Sequence, residues 1–230
     1  MGGHIRSIYS MRHIYAADRF TKLAYNIENS PDISALNMEH NAYVTAAILS
    51  SVAFLEALIN ENFSDICDDK LASCGQSSVK LDEKMRDQIT KTWKIMKNKR
   101  FSILDKYNLL LGLAGKKQFN DSDSSYQEVK LLIGLRNKIV HYEPEWIEID
   151  NFEKPHDIEK KLKGKFEINK LMKNAKNPFY PDKCLGYGCA KWAVLTSLKF
   201  SKEYGQRISI AEHYIESLNN YLNNIDKRIV

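Results

Sequence analysis

Residues 42–59 read AYVTAAILSSVAFLEALI, and this stretch decides the fold. Apolar side chains occupy most positions on every side of a helix drawn through it. An element that is apolar all round has to be surrounded by other elements. The polar side chains within it make it a poor membrane span; they are Thr45, Ser50, Ser51 and Glu56. The sequence therefore predicts a buried central helix over residues 38–63 and no membrane partner.

Helical periodicity continues on both sides of this central helix. Apolar residues recur at three-to-four spacing in six further stretches, which we predict to be helices: 9–27, 81–96, 103–113, 126–142, 185–204 and 209–223. Residues 143–183 hold four of the five prolines and little periodicity, which indicates an irregular insertion with one or two short elements. We predict an all-α helical bundle, a single domain over residues 1–230, with this insertion before the C-terminal helices.

The composition is that of a globular protein. Apolar residues make up 43% and charged residues 27% of the 230 residues, which excludes disorder as the main state. The formal net charge of +5 permits a polyanionic partner without requiring one.

The cysteines and the N-terminus carry no recognisable signal. Neither cysteine pair has the two-residue gap common in zinc sites, and no histidine cluster accompanies them. We expect free thiols, no metal and no cofactor. The first residues lack a charged-then-apolar start, so we expect a cytoplasmic protein.

The predicted helix 126–142 is the place where the apolar pattern breaks. Ser125 and Glu128 fit a capping box at its start, and Pro144 sets its end. Its main stripe is apolar as far as position 133 and then continues as Arg136, Asn137 and His141. A second side stays apolar and should be held by the core: Leu131, Leu135, Ile139 and Tyr142. Because local rules tend to fail at functional sites, the three polar residues form the candidate site.

The spacing within this motif is more specific than a bare pairing of arginine with histidine. Looser pairs of similar spacing occur at Arg6 and His13 and at Arg207 and His213. The stricter pattern Arg-Asn-x-x-x-His is expected by chance roughly 0.02 times in a chain of this composition. It occurs at residues 136–141 alone.

At these six residues the chain resembles the HEPN superfamily (higher eukaryotes and prokaryotes nucleotide-binding). Residues 52–60 and 189–193 are similar to two other helices of that superfamily, and the resemblance covers residues 35–205. It implies a helical bundle in which the arginine and the histidine lie late in one helix. It also implies a homodimer in which two motif helices face one another, and a bacterial toxin or antiviral effector.

The motif residues suit RNA cleavage without a metal. RNA carries its own nucleophile, the 2′-hydroxyl, so cleavage needs a base, an acid and positive charge at the phosphate. The imidazole of His141 can serve as acid or base near neutral pH, and the guanidinium of Arg136 matches two phosphate oxygens. Asn137 could orient the ring or bind the phosphate. We expect an endoribonuclease that leaves 2′,3′-cyclic phosphate and 5′-hydroxyl ends, with a composite site in the dimer.

Supporting residues are less defined by the sequence. Glu56 either pairs with Arg136 or Asn137 across the bundle or is a partly exposed surface residue. A lysine cluster could track an RNA backbone or could be an ordinary solvated face; it comprises Lys160, Lys161, Lys163, Lys165, Lys170, Lys173 and Lys176. Lys99 and Arg100 belong to a second basic stretch with the same two readings.

Two other functions remain open from the sequence. One is a non-catalytic HEPN-like module that binds nucleotide or RNA or scaffolds a protein complex, and the other is an unrelated helical protein with an accidental motif. The expected partners are RNA, a second copy of the chain, and an inhibitory or regulatory protein.

Overall fold

The computed structural model describes residues 6–30, 37–68, 79, 81–97, 99–144, 157–209 and 220. All regular elements within them are helical, which confirms the all-α prediction. The α-helices are α1 (Ser10–Glu28), α2 (Met38–Ile66), α3 (Glu83–Met96), α4 (Ile103–Leu113), α5 (Ser124–Val140), α6 (Asp157–Leu162) and α7 (Tyr187–Ile208). Between α6 and α7 lie a 3₁₀ turn at Lys170–Met172 and a wider turn at Phe179–Lys183.

Helix α2 is the centre of the bundle, because α1 and α7 lie along it and α3, α4 and α5 also pack on it. It is long and apolar enough to cross a membrane by length and composition alone. Its apolar side chains nevertheless form the middle of the core, and several are fully buried: Val44, Ile48, Leu55, Ile59 and Phe63. The prediction of a buried central helix is confirmed.

The start of α1 is held by a side chain of α2. The Tyr9 and Ser10 N–H groups donate to Glu61 Oε1 at 2.6 and 2.9 Å, and the Ser10 hydroxyl donates to Glu61 Oε2. A helix leaves its first N–H groups without partners in its own backbone, and α1 has no capping side chain of its own. Glu61 therefore supplies the missing acceptor and fixes α1 against α2.

The end of α1 is held by a buried carboxylate that joins four segments. Glu28 Oε1 lies 2.7 Å from His40 Nε2, in the first turn of α2. The same oxygen accepts from the Tyr187 N–H at the start of α7, and Oε2 accepts from the Lys170 N–H at 3.2 Å. The Glu28 and His40 side chains are each 1% exposed. A buried carboxylate is tolerated when donors surround it, and here those donors come from α2, α7 and the insertion.

The observed helix bounds differ modestly from the predicted ones. Helix α7 continues to Ile208, and Ser209 ends it with a left-handed backbone. The predicted last helix, 209–223, lies almost wholly outside the described residues. The described part of the insertion contains three short helical pieces, one more than the one or two expected. The prediction of one domain over the whole chain stays a prediction.

The predicted capping box at the start of the motif helix is wrong. Helix α5 begins at Ser124 with Asp123 as its N-cap. The Ser125 hydroxyl donates to Glu203 of α7, and Glu128 accepts from Lys165 and from Trp192 Nε1 at 3.0 Å. Tertiary partners therefore took both side chains that the local pattern assigned to the cap.

The Glu28 contacts predict a large loss of stability on truncation. Glu28→Ala leaves the buried His40 and two part-buried N–H groups without their acceptor, and should lower the free energy of unfolding by about 3 to 5 kcal/mol. The matched change Glu39→Ala removes an exposed carboxylate whose partner is the Tyr43 hydroxyl, and should cost less than about 1 kcal/mol. Urea titration of both variants measures the difference. Equal losses would show that the Glu28 contacts contribute no more than a surface pair.

Candidate functional site

The motif helix α5 is anchored at its N-terminal half and free at its C-terminal end. Val129, Leu132 and Leu135 are fully buried, whereas Val140 is 52% exposed and Tyr142 is 49% exposed. The prediction that the core holds Tyr142 is therefore wrong. The other three residues of that predicted side, Leu131, Leu135 and Ile139, do pack in or against the core.

His141 stands at the point where α5 ends. The helix closes at Val140, and the His141 N–H donates to the Asn137 carbonyl at 2.9 Å. The backbone then leaves the helical conformation, with φ −109° and ψ 44° at His141. The helix ends two residues before the predicted end at Tyr142, so His141 is the cap residue and its imidazole is exposed to solvent.

Arg136 and Asn137 line an open groove of about 470 Å³, which we call the motif groove. Its other polar residues come from α2 and from the segment before and within α4: Glu56, Lys99, Arg100, Ser102 and Lys106. Four cationic side chains thus face one carboxylate. The second basic stretch of the sequence therefore meets the motif, because α4 packs beside α2 and α5.

The Arg136 side chain has one buried hydrogen-bond donor without a partner. Its Nε is buried and makes no hydrogen bond to any described residue. A buried donor without a partner is uncommon, since such groups cost free energy unless a ligand or water meets them. Because Arg136 lines the motif groove, an anionic ligand there would supply acceptors.

Glu56 has a different partner from the one that the sequence suggested. Its Oε1 accepts from Lys106 Nζ at 3.2 Å, and the same ammonium donates to Asn60 Oδ1 at 3.1 Å. The Glu56 side chain is 46% exposed, so it is a partly exposed residue at the edge of the groove. Of the two alternatives left open by the sequence, the partly exposed surface residue is the one observed, and the pair with Arg136 or Asn137 is not formed. Nothing in the sequence singles out Lys106, because it approaches Glu56 only when α4 packs on α2.

His141 does not line the motif groove of its own chain. The groove contains Arg136 and Asn137, while His141 lies beyond it at the tip of α5. A single chain therefore presents the cationic part of the candidate site in the groove and the imidazole at the helix end.

The lysine cluster of the insertion lies elsewhere. Lys165 and Lys170 line a different groove, of about 940 Å³, between α7 and the N-terminal half of α5. Lys165 pairs with Glu128, and Lys170 Nζ donates to Asn29 Oδ1 at 2.9 Å. The remaining lysines are exposed: Lys160, Lys161, Lys163, Lys173 and Lys176. Their assignment to RNA binding stays a prediction.

Two of the three described thiols, Cys184 and Cys189, are unsuited to nucleophilic chemistry. Burial raises the pKa of the Cys184 thiol, and burial likewise raises the pKa of the Cys189 thiol. Both stay protonated at neutral pH, and the thiolate is the reactive form. Cys67 is also free and partly exposed, while Cys74 lies outside the described residues. The described residues contain no group of three histidine, cysteine or acidic side chains placed to hold a metal ion.

One comparison with known proteins is informative. The family model described as RiboL-PSP-HEPN matches residues 15–162, more than half of the chain. The match includes most of α1 and all of α2 to α6, and it contains the whole 136–141 motif, whereas residues 189–193 lie outside it. Comparison with curated proteins and with solved structures finds no match.

Proposed function

The chain belongs to the RiboL-PSP-HEPN family of the HEPN superfamily, and on that basis we propose that it is an endoribonuclease. Membership by itself indicates a ribonuclease-like or nucleotide-related function. The observation that favours RNA cleavage is the Arg136 guanidinium, whose buried Nε is unpartnered in a groove with three further cations. A phosphodiester would add acceptors and negative charge to a groove that holds four cations and one carboxylate.

The proposed reaction is internal transfer at one phosphodiester. A base removes the proton of the 2′-hydroxyl, and the 2′-oxygen forms a bond to phosphorus as the bond to the 5′-oxygen breaks. An acid donates a proton to that departing oxygen. The products are a 2′,3′-cyclic phosphate on one strand and a 5′-hydroxyl on the other, and the nucleophile comes from the RNA itself.

The roles follow from the chemistry of each side chain. Arg136 stabilises the charge that accumulates on the non-bridging oxygens, because its planar fork can donate to two of them. Asn137 shares the groove and donates to the same phosphate. His141 transfers protons, since its exposed imidazole can approach the RNA from the helix end.

A homodimer supplies what one chain lacks. Cleavage needs an acid and a base in one step, and each chain offers one motif imidazole at the tip of α5. We propose that two copies meet with their α5 ends together, so that both imidazoles reach one phosphate. Val140 supports this arrangement, because it lies on the same face as Arg136 and exposes an apolar side chain beside the motif.

The biological setting is inferred from resemblance. We propose a cytoplasmic toxin or antiviral effector whose RNA cleavage is held in check by an inhibitory or regulatory protein. The motif groove is the surface that such an inhibitor would have to cover.

Loss of the imidazole should abolish most of the cleavage. His141→Ala should lower the rate by about 10² to 10⁴, the range for a lost general acid or base. Incubation of purified protein with mixed tRNA and mRNA in EDTA, followed by mapping of the ends, measures this. His13→Ala removes a partly buried histidine of α1, outside the motif, and is the matched control. Equal cleavage by the wild type and His141→Ala would reject the proposal in favour of a non-catalytic module.

The composite site predicts that the inactive chain suppresses the active one. With a ninefold excess of His141→Ala chains and random pairing, about one wild-type chain in ten finds a wild-type partner. If both imidazoles are needed, activity per wild-type chain should fall about tenfold. A bovine serum albumin excess is the control for dilution. Activity that stays unchanged after subunit exchange would show that one imidazole suffices.

The motif groove predicts which cations bind the RNA backbone. Lys99→Gln with Arg100→Gln removes two exposed groove cations without disturbing the Lys106–Glu56 pair. For a single strand this should flatten the plot of log affinity against log salt by about 0.7 per cation. Lys160→Gln with Lys161→Gln makes the same charge change on α6. Flattening by the α6 pair instead would transfer RNA binding to the lysine cluster.

A further inference from the structure

A second pocket, of about 520 Å³, lies on the side of α5 opposite to the motif groove. Ile139 and Tyr142 form its α5 wall, α2 contributes Asn41 and Thr45, and the turn before α7 contributes the floor. We propose that this pocket, which we call the Tyr142 pocket, binds an unpaired nucleobase of the RNA next to the phosphate that is cleaved. The inference rests on the proposed function and names the part of the substrate that determines the cut position.

The size and lining of the Tyr142 pocket suit a flat, largely apolar ring. Small-molecule sites usually have about 300–1,000 Å³ and apolar walls with a few polar groups. Here the apolar walls come from Met38, Ile139, Met172 and Leu185. The Tyr142 ring is half exposed, so it offers a face on which a base can stack.

The charges separate this pocket from the motif groove. No lysine or arginine is found among the described residues that line it, whereas the motif groove has four such residues. Its one carboxylate, Asp182, accepts from Asn177 Nδ2 at 2.8 Å. A phosphate would find no cation here, while an uncharged base would lose little on entering. The sugar-phosphate backbone therefore belongs on the basic side of α5, and the base belongs on the side where no described lining residue is cationic.

Two polar side chains in the pocket have free hydrogen-bonding capacity. Asn41 and Thr45 lie one turn apart on α2, and neither side chain bonds to another described residue. An amide and a hydroxyl offer donors and acceptors of the kind that a base edge requires. Asn169, by contrast, is committed: Nδ2 donates to the Leu185 carbonyl at 3.2 Å, and Oδ1 accepts from the Leu171 N–H at 3.0 Å. Asn169 therefore stabilises the turn at the pocket floor, and Asn41 and Thr45 remain available to hydrogen-bond a ligand.

The position of the pocket connects it to the motif. Tyr142 directly follows His141, the residue that caps the end of α5, and the Tyr142 side chain lines the pocket. A strand that crosses the tip of α5 would place a phosphate beside His141 and an adjacent base over Tyr142. Sequence-specific proteins commonly recognise single-stranded RNA by holding splayed-out bases in this way. A second copy of the chain is the other occupant that the exposed apolar rim could bind, with Met38 75% exposed, and the experiment distinguishes the two.

The test pairs a change in the RNA with a change in the pocket. An oligonucleotide with one mapped cut is prepared intact, and with an abasic nucleotide on either side of the cut. For the wild type, one abasic position should lower kcat/KM about tenfold, a loss typical of one stacked base. In Thr45→Trp, which fills the pocket, and in Asn41→Ala, the same abasic change should have a smaller effect or none. Thr92→Trp on α3, outside the pocket, should behave as the wild type.

A crosslinking measurement separates this inference from the nuclease proposal. RNA containing 4-thiouridine is bound to His141→Ala and irradiated, and the attached peptide is identified by mass spectrometry. Crosslinks at Tyr142 or in the 179–183 turn support the pocket, even if the wild type proves not to cut RNA. Crosslinks confined to other segments, or an unchanged kcat/KM with both abasic substrates, overturn it. Loss of the dimer in Thr45→Trp and Asn41→Ala also overturns it, because a second copy would then be the occupant.

Discussion

The buried Glu28 carboxylate is the contact on which the rest of this structure depends. It lies at the end of α1 and accepts from the first turns of α2 and α7 and from the insertion. Four segments of the chain are therefore joined at this one carboxylate. An apolar interface tolerates sliding of one helix along another, whereas three directional hydrogen bonds to one carboxylate do not. The registers of α2 and α7, and hence the grooves between helices, are set from this point.

The two ends of the motif helix α5 have different roles. Its N-terminal half is held by Val129, Leu132 and Leu135, which contribute burial and no chemistry. In its last turn only Ile139 still packs against the core, while Arg136 and Asn137 line the motif groove and Tyr142, just past the helix end, lines the Tyr142 pocket. A rigid, buried half allows the exposed half to present polar groups in fixed positions, which binding and catalysis both require. This arrangement leaves the buried Nε of Arg136 without a hydrogen-bond partner, which costs free energy in the folded protein.

Arg136, Glu56 and the lysine cluster show what a local sequence pattern specifies and what it leaves to packing. The interruption of the stripe at Arg136 located the groove, because a helix period is a local property that packing rarely changes. The sequence leaves the environment of Glu56 open, because its partner Lys106 is fifty residues away and approaches it only when α4 packs on α2. The lysine cluster drew attention by its density, yet Lys165 and Lys170 line the other groove and already have partners. Charge density in a sequence says nothing about which face of the fold carries it.

The sequence by itself determined the helical class, the central position of α2 and the family motif at 136–141. These follow from periodicity and from a short, specific spacing, both of which are encoded in neighbouring residues. Only the tertiary structure decided that Lys99 and Arg100 join Arg136, that Tyr142 lies outside the core, and that a largely apolar pocket adjoins the end of α5. The reason is physical: which side chains share a groove depends on how helices pack, and packing is set by contacts between residues far apart in the chain.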